Sequence, residues 1–130
     1  MMQALREVLA AEPIIAYALL FGSRARGTAH EDSDVDLAIG GRDLAFSLLD
    51  LGGLIARLEE VAGASVDLVL LDEAPPGLAF RIFQEGRVLF DRDHSAFLER
   101  KAKAMLEYYD WQPIEARLAR AVLEAAQRGR

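Results

Sequence analysis

The segment from Ile14 to Phe21 constrains this chain most: eight apolar residues run unbroken between Pro13 and Gly22. That is well short of the roughly twenty residues that span a bilayer. A short, continuous apolar run closed by a proline and a glycine reads as a buried strand. The rest of the chain must then supply neighbouring strands and helical cover.

It does so in alternation. Leu5, Val8 and Leu9 lie at helical spacing ahead of Pro13, which closes that first helix. Gly22 to Asp32 reads as a loop or one short helical turn. Ser33 to Ile39 then alternates strictly, with Val35, Leu37 and Ile39 on one face and Asp34, Asp36 and Ala38 on the other. From Asp43 to Ala62, leucines and isoleucine recur every three or four residues. Their phase survives Gly52-Gly53, so one helix is predicted there despite about 1 kcal/mol lost per glycine. Ser65 to Leu71 is the third strand, Pro75-Pro76 opens a helix that stops at Gly86, and Arg87 to Asp91 is a fourth strand. Asp93 is placed to cap a helix reaching about Tyr109, and Trp111-Gln112-Pro113 to open a second one running to the end. The expected architecture is α/β (α+β): a small mixed sheet of about four strands packed with helices, closed by two C-terminal helices.

Composition narrows the function. A chain of 130 residues suits one domain spanning 1–130, with 92–130 as a helical segment. Having no cysteine, it has neither a disulfide framework nor a thiolate zinc site nor a cysteine nucleophile. The net charge of −6 argues against a protein that binds nucleic acid by neutralising phosphates. That acidity is concentrated in residues 1–91, which carry −8, whereas 92–130 carry +2. The first twelve residues are amphipathic and lack the apolar centre of a signal peptide. A soluble, cytoplasmic protein is expected.

Chemistry is concentrated between Gly22 and Asp36. Asp34 and Asp36 stand two residues apart on a strand and share a face. Two anions so close repel one another unless a cation joins them, and oxygen ligands of this kind suit magnesium or manganese. Magnesium commonly completes its shell with substrate phosphates, which directs attention to a nucleoside triphosphate. Gly22 and Ser23 leave the buried strand at a turn where backbone N–H groups and a hydroxyl could meet phosphates. Arg24 and Arg26 are cationic candidates for the same phosphates. No lysine follows Gly27 and no G-x-G is present, so neither a P-loop nor a dinucleotide fingerprint fits. Asp67 interrupts an apolar strand, where an unpaired carboxylate would be costly to bury. If that strand lies beside the Asp34–Asp36 strand with matching pleat, three carboxylates could hold two metals about 4 Å apart.

Gly22-Ser23, ten further residues and Asp34-Val35-Asp36 resemble the signature of the polymerase-β-like nucleotidyltransferase superfamily. The short chain resembles its minimal nucleotidyltransferases. Among these it is similar to the adenylyltransferase antitoxins that partner HEPN-type ribonuclease toxins, a likeness extending through Asp67 to Pro75 and around Phe80-Arg81-Ile82-Phe83. The resemblance implies that Asp34 and Asp36 ligate two magnesium ions, and that Asp67 completes the catalytic metal site and helps deprotonate an acceptor hydroxyl. Gly22 and Ser23 would hold the outer phosphates of ATP. AMP would pass to a tyrosine of the HEPN-type toxin in a hetero-oligomer, silencing its RNase.

Other readings stay open. Asp34 and Asp36 could belong to a solvated edge strand, and Asp67 could pair with an arginine. His30 and His94 are assigned no chemistry, and Tyr108, Tyr109 and Trp111 are read as packing residues. The acceptor could instead be a small hydroxylated molecule, or the chain could neutralise a toxin by binding alone.

Overall fold

The computed structural model describes residues 1–30 and 33–128. Glu31 and Asp32 of the expected loop, the last two residues and the Trp111 side chain lie outside the described residues. The elements are α1 (Met2–Ala10), β1 (Tyr17–Phe21), α2 (Ser23–Arg26), β2 (Val35–Gly40), α3 (Leu48–Ala62), β3 (Val66–Leu70), a 3₁₀ turn (Leu71–Glu73), α4 (Pro76–Glu85), β4 (Arg87–Asp91) and α5 (His94–Arg128). The expected four-stranded mixed α/β architecture is present, in the order β3-β2-β1-β4. β1 runs antiparallel to β2 and to β4, while β2 and β3 are parallel. A parallel neighbour needs a crossover, which α3 supplies.

β1 is buried at every position, as its unbroken apolar run requires. Ala18 and Leu20 join Val35, Leu37 and Ile39 against Leu5 and Leu9 of α1 and Leu54 and Leu58 of α3. On the other face Tyr17, Leu19, Phe21 and Ala38 pack with Ala79, Ile82 and Phe83 of α4 and Phe97 of α5. Asp36 shares that second face with Ala38, so α4 rather than α3 overlooks it.

Several boundaries differ from expectation. β1 begins at Tyr17 rather than Ile14, the connection from α1 being held by Arg92, which donates to the carbonyls of Ala10, Glu12 and Ile15. α3 begins at Leu48, where the Ser47 hydroxyl accepts the Asp50 N–H at 3.0 Å; the helix does continue through Gly52-Gly53. Asp93 caps α5 through the Ala96 N–H, as its position suggests. The two C-terminal helices are in fact one of 35 residues. Proline inside a helix forfeits one hydrogen bond and costs about 3 kcal/mol. No glycine stands between His94 and Arg128, and the alanine-, leucine-, glutamate- and arginine-rich flanks of Pro113 favour continuing the helix. Among the described residues, no helix is long and apolar enough to cross a membrane.

Tyr17 sits at the far end of β1 from Phe21, its ring lying where a Cβ on Gly40 would be. Phe97 meets it edge-on at 5.4 Å. Burial, reinforced by the Asp72 charge, pushes the phenol up to about 12. The raised value means that the folded state holds its proton more tightly than the unfolded state does. The associated stability is intact below pH 10 or so and is lost as pH rises through about 12. Denaturant titrations at about pH 9 and about pH 11.5 should show a steeper loss for the wild type than for Tyr17→Phe. Equal losses would remove this account.

Candidate active site

The parallel pairing of β2 and β3 sets Asp36 directly opposite Asp67, and the antiparallel pairing of β1 and β2 sets Phe21 opposite Asp36. The residue after Phe21 is Gly22. It turns the chain at φ 72°, ψ −155°, and a Cβ there would stand 2.1 Å from Asp36 Oδ2. Such a φ/ψ pair is essentially reserved for glycine. The glycine–serine turn and the carboxylate are therefore fitted to one another.

Ser23 opens α2, and the Gly22 carbonyl accepts the N–H groups of Ala25 and Arg26, both at 3.1 Å. The turn ends at Gly27 in left-handed geometry. Phe21, Gly22, Ser23, Arg26, Asp36, Asp67, Val69, Leu78 and Arg81 line a cleft of about 360 Å³. Arg26 reaches across it to Glu85 of α4 at 3.3 Å, tying the turn to that helix.

Not every candidate enters the cleft. Arg24 is directed elsewhere: its guanidinium donates to the Ser33 carbonyl at 2.8 and 3.2 Å, bracing the approach to β2. Asp34 lies just before β2, exposed, and does not line the cleft. Its charge still reaches Asp36. Burial pushes the Asp36 carboxyl up from its ordinary value, the Asp67 and then the Asp34 charge push further, and Arg26 and Arg81 oppose them. Asp67 is exposed because β3 is the sheet edge. The burial cost expected of it is therefore absent, and among the described residues it forms no ion pair. His94 bonds Asp91 at 2.5 Å, away from the cleft, and Tyr108 stacks on Phe80 with ring centroids 4.0 Å apart.

Arg81 is the residue that sequence reasoning left without a role. Ala79, Ile82 and Phe83 form the buried face of α4. Leu78, Arg81 and Glu85 follow helical spacing on the neighbouring face, beside the cleft. That spacing was the available signal, but its meaning depends on which strand end α4 covers.

The donors suit a hard divalent cation. Two carboxylates face one another across adjacent strands, and their repulsion is what a cation would relieve. Among the described residues no three acidic or histidine side chains converge into a closed metal cage. An open arrangement of one or two carboxylates, completed by substrate phosphates, is how magnesium is usually held.

Comparison with known proteins identifies the family. The family model of polymerase beta nucleotidyltransferases matches residues 3–95. The chain is 39% identical over 66 residues to the protein adenylyltransferase MntA of Thermococcus cleftensis, a match covering 51% of this chain and 66% of that protein. A chain of a crystal structure described as a toxin–antitoxin with AMP-PNP superimposes with a TM-score of 0.78 at 24% identity, over 94% of this chain and 98% of that one. A chain from the complex of tri-AMPylated Shewanella oneidensis HEPN toxin with MNT antitoxin gives 0.71 at 21% identity, over 95% and 99%. At these identities the two structures speak for the fold. The family match contains the Gly22-Ser23 turn, Asp36 and Asp67, and runs through all four strands: the chain belongs to the polymerase beta nucleotidyltransferase family.

Proposed function

We propose that this chain is a magnesium-dependent protein adenylyltransferase antitoxin, which moves AMP from ATP onto a hydroxyl, a tyrosine's, of a HEPN-type RNase toxin in the cytoplasm and thereby neutralises it. The observation that carries the reading is the in-register Asp36–Asp67 pair facing the Gly22-Ser23 turn in one cleft. The name of the Thermococcus relative and the AMP-PNP complex of a like-folded chain support the donor and the reaction. The HEPN toxin in the Shewanella complex supports the partner and a hetero-oligomer.

In this reading Asp36 and Asp67, with Asp34 just before β2, hold the magnesium ions. Bound magnesium supplies charge neutralisation at the phosphates. Gly22 and Ser23 seat the outer phosphates, and Arg26, already anchored by Glu85, lends a positive wall. Asp67 accepts the proton of the incoming hydroxyl. Arg24 has a supporting role, holding the backbone ahead of β2.

Incubation with magnesium, labelled ATP and the co-encoded HEPN partner tests this, beside Asp34→Ala/Asp36→Ala. Label should appear on the partner with wild type only. Unlabelled partner that is nonetheless inhibited would replace catalysis with neutralisation by binding. Label on small hydroxylated acceptors but never on protein would change the substrate class.

A further inference from the structure

The cleft contains two arginines in different states. Arg26 is committed to Glu85 at 3.3 Å. Arg81 stands one helical turn before Glu85 on the same helix and lines the same cleft. Among the described residues it has neither an ion-pair nor a hydrogen-bond partner. Its charge is felt at the Asp36 carboxylate, yet among the described residues no carboxylate stands within ion-pair distance of it. What Arg81 faces is the Gly22-Ser23 turn and the carboxylate pair, where cations would already have neutralised the aspartates. The charge left for it to meet belongs to the substrate.

We infer that Arg81 grips the β- and γ-phosphates of the nucleotide and stabilises them as they depart as pyrophosphate. The inference rests on the adenylyltransferase reading. In that reaction the acceptor oxygen forms a bond to the α-phosphorus. The bond from that phosphorus to the oxygen bridging to the β-phosphate breaks, and its electron pair leaves with pyrophosphate while the hydroxyl proton passes to Asp67. Negative charge therefore grows on the leaving group. A guanidinium can meet it with two parallel donors, a geometry that an ammonium cannot reproduce. Phe21, Val69 and Leu78 make up the apolar part of the cleft and carry no anionic group for a cation to pair with.

Calorimetric titration of the full chain with magnesium pyrophosphate and, separately, with magnesium AMP tests the assignment without any partner. Arg81→Ala should weaken pyrophosphate binding by about tenfold or more, the usual worth of a charged hydrogen bond. AMP binding should stay within about twofold, Arg81→Lys should fall between, and the melting temperature should not move because the side chain is exposed. In the transfer assay Arg81→Ala should also lose kcat. Unchanged pyrophosphate affinity would overturn the assignment. So would equal losses for pyrophosphate and AMP, which would place Arg81 at the base or sugar, and so would a wild type that does not bind pyrophosphate. Failure of the wild type to label its partner would defeat the adenylyltransferase reading instead, a result the transfer assay gives independently of the binding titrations.

Discussion

Asp36→Asn is expected to lower AMP transfer by about 10³-fold or more, roughly 4 kcal/mol of transition-state stabilisation, while making the metal-free protein more heat-stable. Both effects come from one position. Asp36 is partly buried opposite Asp67, and its ionised form is disfavoured first by burial and then by the neighbouring carboxylates. Without a cation, asparagine removes a repulsion and keeps the shape, so the fold gains. With magnesium and ATP the sign reverses. Ligand that binds the folded state raises the wild-type melting temperature, and the variant lacks the charge that holds it. Asp67→Asn should follow the same pattern, because it relieves Asp36 from the facing strand. Thermal melts in chelator and in magnesium–ATP, run beside the transfer assay, separate the effects. A variant that is both less stable without metal and still active would show that the pair is structural.

Sequence and structure differ most where three-dimensional neighbours decide. Alternation along Ser33–Ile39 was enough to assign Asp36 to a face, because a strand's period is two whatever surrounds it. The Asp36–Asp67 pairing was legible only as a condition, since sequence does not say which strand lies beside β2; the α3 crossover settles it. Arg24 and Arg26 are equivalent as letters. They differ because two steps along the short α2 helix turn one guanidinium to the Ser33 carbonyl and the other across the cleft to Glu85. Arg81 was invisible as a site residue for a similar reason: it is polar, exposed and remote in sequence, and only the packing of Ala79, Ile82 and Phe83 under α4 aims its face at the cleft. Pro113 differs in kind: a local breaker is outweighed by a long run of helix-favouring residues, whose summed preference outlasts one lost hydrogen bond.

Gly22→Ala should damage the chemistry far more than Gly27→Ala, its control. Both glycines adopt positive φ, 72° and 76°, but Gly27 is left-handed helical at ψ 16° whereas Gly22, at ψ −155°, lies in a region essentially reserved for glycine, so alanine strains the backbone by on the order of 1–3 kcal/mol and more at Gly22. Their surroundings differ. A Cβ on Gly27 meets nothing within 4 Å, whereas one on Gly22 arrives 2.1 Å from Asp36 Oδ2 and 3.0 Å from its Cγ. The carboxylate can swing aside, but only by leaving its place opposite Asp67. Displacement of a reacting group by about 1 Å can cost about 10²-fold in rate. Both variants should therefore melt low, Gly22→Ala the lower, with activity kept in folded Gly27→Ala and lost by about 10²-fold or more in Gly22→Ala. Measured on folded protein, well below both melting temperatures, the difference in activity reports the collision with Asp36 together with the strain of the turn that carries it. Equal activity in the two would mean that the close approach of Gly22 to Asp36 has no part in the chemistry. A double variant points the same way: in the Asp36→Ala background Oδ2 and Cγ are gone and only the Cβ at 3.2 Å remains, so adding Gly22→Ala should cost less stability than it does in the wild type.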